Sequence, residues 1–186
     1  MGKGDNGSPK DKRSYWIIII TIITFILALI ISFASDAASN YSGIVVAVII
    51  LIVLIAISII FDGIAVAVTA CEIGPLTSMA SRKIKGSKIA LKLISNAHKV
   101  ANICSDVIGD ICGIVSGACV IVIAIKIMSF NPSVNKTVLT ILFSSTVAAI
   151  TVGGKALMKI IAIKSSKEIV LLVAKFLNIF IKENKL

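Results

Sequence analysis

Four long apolar runs constrain this chain more strongly than any other feature. They cover residues 16–33, 44–61, about 101–125 and 138–154. A helix needs about 20 apolar residues to cross the hydrocarbon core of a bilayer. The chain is 58% hydrophobic, whereas about 45–50% is usual in soluble domains, and its mean hydropathy of +1.06 agrees. These runs predict an all-α integral membrane protein with four transmembrane helices.

The second apolar run is predicted to be broken or re-entrant. Its apolar character continues weakly beyond Phe61 as far as Cys71. A single helix from Ile44 to Cys71 would be roughly 40 Å long, which exceeds the hydrocarbon core of about 30 Å. We therefore expect a break, a tilt or a re-entrant turn near Asp62-Gly63 or near Gly74-Pro75.

Two further segments are basic and amphipathic. Residues 76–99 carry six basic side chains among apolar ones, which is typical of a connecting helix that lies on an anionic membrane face. Residues 164–182 place lysines at near-helical spacing opposite an apolar face. This pattern predicts a C-terminal interfacial helix rather than a fifth span.

The distribution of Lys and Arg predicts the orientation of the chain. Four lie in the N-terminal tail, six in residues 72–100 and seven from residue 155 onward. Of the two loops on the other side of the membrane, the first carries none and the second carries two. The positive-inside rule then places both termini in the cytoplasm, in a multi-pass protein of the cell membrane. The same rule explains the net charge of +10, so we expect anionic lipid headgroups, and not nucleic acid, as the partner of the basic face.

The predicted domain organisation follows from these segments. Residues 1–15 are polar and read as a disordered cytoplasmic tail, residues 16–34 as an extra N-terminal transmembrane helix, and residues 44–182 as the main membrane domain. A cleaved signal peptide is the alternative for the first helix, because small residues follow at Ala34–Ala38. Its apolar core is longer than the about 7–15 residues usual in signal peptides, which favours a retained span.

Four acidic residues lie in or beside the spans: Asp62, Glu72, Asp106 and Asp110. An ionised acid near the bilayer centre costs roughly 2.5–3.5 kcal/mol, so such residues usually face a polar cavity, a cation or each other. Asp110 is the best placed. Asp106 shares its helix face, and the two repel unless a cation is near or one is protonated; alternatively, Asp106 lies at the cytoplasmic mouth. Asp62 either lines the same cavity or marks the inner water boundary.

Three segments resemble, in order and spacing, the membrane domain of the CNNM/CorC magnesium transporter family. Thr69–Arg82, which reads Thr-Ala-Cys-Glu-Ile-Gly-Pro-Leu-Thr-Ser-Met-Ala-Ser-Arg, is similar to the family's Ser-Ala-Ser-Glu…Leu-Ser-Arg signature. Gly86–Asn96 resembles its connecting helix, and Ile108-Gly109-Asp110 stands where the family has Ile-Gly-Asn. The resemblance covers roughly residues 45 to 180. The paired CBS domains that typically follow in the family are absent from this sequence, so ATP regulation in cis is not expected.

The resemblance implies a homodimer that transports a divalent cation, with Mg²⁺ as the transported ion. Family members hold Mg²⁺ with hydroxyl and backbone oxygens of the broken helix, with the Asn of Gly-Asn and with a later Glu. The metal-site residues that the resemblance implies in this chain are Thr69, Gly109, Asp110, Glu72 and Lys155, and the spacing of Asp106 from Asp110 adds Asp106 to the predicted site. For Glu72, a helix-end carboxylate beside the basic residues 82 and 83 is the alternative.

Lys155 stands where the family has Glu, which leaves the function open between two expectations. In the first, Asp110 supplies the carboxylate in place of the family's Glu, Lys155 pairs with Asp110 when no ion is bound, and the chain transports a cation. In the second, Asp110 and Lys155 form a structural pair in a non-transporting accessory or regulatory protein. Lys155 would alternatively snorkel to the inner interface. An enzyme is not expected, because the Asp62-Gly63 and Asp106/Asp110 pieces lie too far apart for a lipid phosphotransferase signature.

Overall fold

The computed structural model describes the backbone of residues 9–41, 43–130 and 135–180, and its regular structure in these ranges is helical without strands. Four stretches are long and apolar enough to cross a membrane, namely Ile17–Ala37, Ile44–Ala70, Ala97–Phe130 and Thr137–Lys164. This confirms the predicted all-α membrane fold with four spans. The helices are α1 (Pro9–Tyr41), α2 (Ile44–Ala70), α3 (Ile73–Ser81), α4 (Ser87–Ser95), α5 (Ala97–Ala101), α6 (Asp110–Phe130), α7 (Lys136–Lys164) and α8 (Ser166–Phe180), with a π-helical segment at Asn102–Gly109 between α5 and α6.

Two helices are longer than their apolar runs. Helix α1 begins at Pro9 rather than Trp16, since the fixed φ of proline suits the first turn of a helix; residues 1–8 of the predicted tail lie outside the described residues. Helix α7 continues ten residues beyond Gly154 to Lys164, and the Asn135 side chain caps its start by accepting a hydrogen bond from the Thr137 N–H at 3.0 Å. The third span likewise extends beyond the predicted run at both ends.

The interruption of the second segment lies at Cys71 and Glu72. Both residues have extended backbone, with φ of −79° and −75°, between α2 and α3. Helix α2 runs without a break through Asp62 and Gly63, so the first of the two expected positions is wrong. The second is close, because the interruption precedes Gly74-Pro75 by two residues, and Pro75 falls in the first turn of α3, where its missing N–H removes no helical hydrogen bond.

Two separate hydrophobic cores meet along α2. The first, here the membrane core, joins α2, α6 and the π-helical segment, with α1 and α7 packed around it. The second, here the basal core, joins the last turns of α2 to α3, α4, α7 and α8. The buried residues that α2 contributes are Ala47, Leu51 and Leu54 to the membrane core and Ala67 and Val68 to the basal core. The two predicted amphipathic helices, α4 and α8, therefore lie together at one end of the bundle.

Glycines allow α2 and α7 to approach closely between these cores. A Cβ atom added to Gly63 would overlap the side chain of Met158, and one added to Gly154 would overlap Ile59. Small residues permit such close approach of helices in lipid. A Cβ atom at Gly113 or Gly117 of α6 would meet no neighbouring atom within 4 Å. Helices α2 and α7 thus approach closely at the level of residues 59–63, beside Asp62.

Candidate functional site: a polar ladder between the two cores

Asp62 is the centre of the candidate site. Its residue surface is only 3% exposed, and it is the one buried carboxylate among the acidic side chains that the structure describes. Leu51, Leu54, Ser58, Asp62 and Ala65 follow one another at helical spacing on the buried face of α2. Ser58 and Asp62 therefore occupy positions of an otherwise apolar stripe, in the gap between the membrane core and the basal core.

Two side chains from other helices contact the Asp62 carboxylate. The Ser105 hydroxyl of the π-helical segment donates a hydrogen bond of 2.6 Å to Oδ1. The Lys159 ammonium of α7 lies 3.3 Å from Oδ2. That contact neutralises charge but lacks hydrogen-bond geometry, so the buried Oδ2 accepts no hydrogen bond within the described structure. The Lys159 side chain is 49% exposed, so the ammonium reaches the buried acid from the edge of the bundle.

A second polar layer lies one helical turn further along the same three elements. The Ser58 hydroxyl of α2, which is fully buried, donates a hydrogen bond of 2.9 Å to the carbonyl of Gly109. The Lys155 ammonium of α7 lies 3.8 Å from the point that a Cβ atom on Gly109 would occupy. Like the first layer, this layer combines one residue each from α2, the π-helical segment and α7, and it again contains a serine hydroxyl and a lysine.

The two layers form what we name the polar ladder, which consists of Ser58, Asp62, Ser105, Gly109, Lys155 and Lys159. Each of the three elements contributes two residues four positions apart, and residues at this spacing lie one above the other on a helix. Because α2 continues for eight residues beyond Asp62, the carboxylate lies about 12 Å from the basal end of that helix. The π-helical segment supplies Ser105 and Gly109, and π-helical segments occur frequently at functional sites.

The structure brings two of the six predicted metal-site residues into this ladder, Gly109 and Lys155. Asp106 and Asp110 are exposed on the third span. Thr69 is also exposed, and its hydroxyl donates to the carbonyls of Ala65 and Val66 in its own helix, at 3.1 and 2.9 Å. Glu72 is exposed at the N-cap position of α3 without a capping hydrogen bond. These four side chains are not gathered around a common point within one chain.

Four residues of the ladder are absent from the predicted set: Ser58, Asp62, Ser105 and Lys159. The sequence carries a signal for two of them. Ser58 and Asp62 fall at the positions of α2 whose spacing predicts a buried apolar face. Two polar residues in such a face indicate a site without any family resemblance. Ser105 and Lys159 carry no such signal, because their roles depend on how α2, the π-helical segment and α7 are turned toward each other.

The ladder holds one carboxylate and two ammonium groups, so its formal charge is positive. Within the described residues, no group of three or more His, Cys, Asp or Glu side chains could hold a metal ion. The oxygens that a hard cation would find here are the Asp62 carboxylate, the Ser58 and Ser105 hydroxyls and the Gly109 carbonyl. Mg²⁺ accepts such a set, because it usually keeps several of its waters and takes only one or two carboxylates from a protein.

Comparisons of this chain with protein-family models, with curated proteins and with solved structures found no match. The fold and the site define a multi-pass α-helical membrane protein with a buried acid–lysine site. The likeness to the CNNM/CorC family rests on the residue patterns quoted above and stays a prediction.

Proposed function

We propose that this chain transports a cation across the membrane, with Mg²⁺ as the expected ion and Asp62 as its charged ligand. The observation that carries the proposal is the buried Asp62 carboxylate, whose Oδ2 oxygen accepts no hydrogen bond in the described structure and has only the half-exposed Lys159 ammonium beside it. A buried carboxylate whose hydrogen bonds are incomplete is costly in a low-dielectric interior. A bound cation would remove that cost.

Lys159 acts in this proposal as an internal cation that neutralises Asp62 when no ion is bound. Its side chain is half exposed, so the ammonium can withdraw toward the edge of the bundle while Asp62 stays in place. An arriving cation then takes the position beside Oδ2, and the Ser105 hydroxyl turns a lone pair toward it. Because a divalent ion and an ammonium repel each other, withdrawal of Lys159 and binding of the ion are coupled.

Lys155 sets a barrier one turn further along the ladder. Its ammonium lies over Gly109, whose carbonyl is already bonded to Ser58. A cation that leaves Asp62 toward the membrane core therefore has to displace or pass a second positive charge. This arrangement favours alternating access, in which the helices move to open a path, over a permanently open pore.

A second copy of the chain completes the proposal. Asp106 and Asp110 are exposed although they lie within the third span. An ionised acid that faces lipid near the bilayer centre costs roughly 2.5–3.5 kcal/mol. A homodimer, which the family resemblance also implies, would turn this face toward a polar interface instead of lipid. With both termini in the cytoplasm, the basal end would face inward.

Ion uptake into liposomes tests the transport proposal. The purified protein is reconstituted with an enclosed Mg²⁺ dye, and uptake is compared for wild type, Asp62→Asn and Asp36→Asn. Asp36 is a matched control because it is an exposed acid of α1 outside the ladder. We expect uptake by wild type and the control, and a loss in Asp62→Asn, which keeps the shape of the side chain.

Two outcomes contradict this assignment in different ways. Full uptake by Asp62→Asn together with loss in Asp110→Asn would move the ion site to the position that the family resemblance implies. No uptake by wild type, despite a folded protein under several ion gradients, would reject transport.

A non-transporting accessory or regulatory role is the second candidate function. The observation that favours it is the Asp62–Lys159 ion pair, because a carboxylate that is already neutralised needs no ion. Mn²⁺, a spectroscopic substitute for Mg²⁺, separates the two functions by electron paramagnetic resonance. Binding that disappears in Asp62→Asn supports transport, whereas a folded wild-type protein without binding supports the accessory role.

A further inference from the structure

A cavity of about 460 Å³ lies at the basal end, between the turn that joins α3 to α4 and the last turns of α8. Among the residues that the structure describes, five line it: Ile84, Lys85, Lys175, Asn178 and Ile179. It is remote in the fold from the polar ladder, which lies between α2, the π-helical segment and α7. Its lining combines two lysines and an amide with two isoleucines.

A left-handed glycine allows the turn that carries Lys85 to pack against α8. Gly86 has a φ of +85°, and a Cβ atom there would lie 3.2 Å from the backbone nitrogen of Lys175. The turn is closed on its other side by the Ser87 hydroxyl, which donates to the Ile84 carbonyl at 2.6 Å. Since Gly86 permits both the backbone conformation and the contact with α8, the turn that carries Lys85 packs against α8 at Lys175, and both lysines line the cavity.

The charges of the cavity are uncompensated within the described structure. Its lining contains no carboxylate, and neither Lys85 nor Lys175 forms an ion pair with any described residue. The acid of α8, Glu168, lies seven positions before Lys175, or about two helical turns away. Two lysines that line one cavity without a counter-charge attract an anion, and lysine binds phosphate as a point charge.

The apolar part of the lining indicates an amphiphilic ligand. Ile179 is 77% exposed, among the most exposed large apolar side chains described, and Ile84 lines the cavity beside it. The cavity lies at the end of the bundle where α2 and α7 finish their spans, which is where lipid headgroups would meet the protein. A small free anion would make no use of these isoleucines, whereas a phospholipid would lay its acyl chains against them.

We propose that this cavity is a specific binding site for an anionic phospholipid. Lys85 and Lys175 contact the headgroup phosphate, the Asn178 amide donates to a phosphate or glycerol oxygen, and Ile84 and Ile179 contact the first carbons of the acyl chains. The site goes beyond a general attraction between basic helices and a charged membrane, because it assigns one lipid to one cavity. It is independent of the transport proposal.

Lipid binding by the delipidated full chain in a neutral maltoside detergent tests the site. Native mass spectrometry measures the affinity for phosphatidylglycerol, for zwitterionic phosphatidylcholine and for inorganic phosphate. The variant Lys85→Gln/Lys175→Gln removes both cavity charges. The matched control is Lys88→Gln/Lys167→Gln, which removes two exposed charges from α4 and α8, outside the cavity at the same end of the bundle.

The cavity variant is expected to bind phosphatidylglycerol about thirtyfold more weakly than wild type, from about fivefold for each ammonium near a headgroup. The control variant is expected to keep wild-type affinity, and phosphatidylcholine to bind weakly throughout. If the double variant fails to fold, the single variants Lys85→Gln and Lys175→Gln are each expected to lose about fivefold.

Three results would overturn the proposal. An equal loss in the cavity and control variants would mean that the basic surface acts only through its overall charge. Equal affinity for phosphatidylcholine would remove the charge recognition. Inorganic phosphate that competes as strongly as the lipid would identify a free-anion site, whereas weaker competition by phosphate supports a lipid.

Discussion

Replacing Lys159 by Gln is expected to destabilise the protein by exposing the buried charge of Asp62. At 3.3 Å and an effective dielectric constant of about 20, the pair attracts by about 5 kcal/mol before desolvation is counted. Removing one partner of a fully buried pair costs about 3–5 kcal/mol. Because Lys159 is half exposed and Ser105 still donates to Oδ1, we expect a smaller loss of about 2 kcal/mol in the free energy of unfolding.

A double-mutant cycle isolates this interaction from other effects of the substitution. Lys159→Gln, Asp62→Asn and the combined variant are unfolded by dodecyl sulfate in mixed maltoside micelles, and helicity is followed by circular dichroism. The combined variant removes both charges, so it is expected to be less destabilised than the sum of the two single losses, with a coupling energy of about 1–2 kcal/mol. Lys164→Gln, an exposed lysine near the end of the same helix, serves as the control.

Two results would refute the reasoning about the ion pair. If Lys159→Gln were no more destabilising than Lys164→Gln, the 3.3 Å contact would contribute nothing to folding. If the losses in unfolding free energy of Asp62→Asn and Lys159→Gln were additive, their coupling energy would be zero. Asp62 would then be stabilised by Ser105 and its other neighbours, and not by the Lys159 ammonium.

Two further predictions concern packing and a buried thiol. Gly63→Ala is expected to cost about 1–3 kcal/mol because the added methyl overlaps Met158, whereas Gly153→Ala, with no atom within 4 Å, is expected to stabilise α7 by up to about 1 kcal/mol; equal effects in the same unfolding assay would contradict the close helix contact. Burial raises the pKa of the Cys71 thiol above its usual value, so thiolate is scarce at neutral pH. In a variant that keeps Cys71 as its only cysteine, maleimide labelling at pH 7 is expected to be slower than that of free cysteine and to increase strongly at higher pH; equally fast labelling at pH 7 would contradict this.

The sequence predicts the spans better than their ends, for a physical reason. A bilayer requires about 20 apolar residues for each crossing, so apolar runs reveal where crossings lie. Helix α7 nevertheless continues beyond the predicted end at Gly154 through Lys155 and Lys159. Lysines usually end a span, but these two reach the polar ladder, where they meet Gly109 and the Asp62 carboxylate. Tertiary contacts therefore lengthened a helix that composition alone would have ended.

The candidate site was less predictable than the fold because it depends on contacts between distant segments. Asp62 and Ser105 are 43 positions apart, and only the packing of the π-helical segment against α2 joins them. The resemblance to a transporter family directed attention to Asp110, which is exposed in one chain. The buried stripe of α2 was the more direct signal, because a carboxylate at a core position requires partners wherever it occurs.

The position of the ladder between two cores bears on both proposed functions. A buried ion pair adds little stability compared with apolar residues of similar size, and both cores already pack α2 above and below Asp62. The fold therefore does not require an acid at this point of the stripe. The cost of keeping it is lowered by Lys159, whose half-exposed side chain can leave without disturbing either core. A charge that is buried, neutralised from the edge and released by one side-chain movement is suited to exchange one cation for another, as the transport proposal requires.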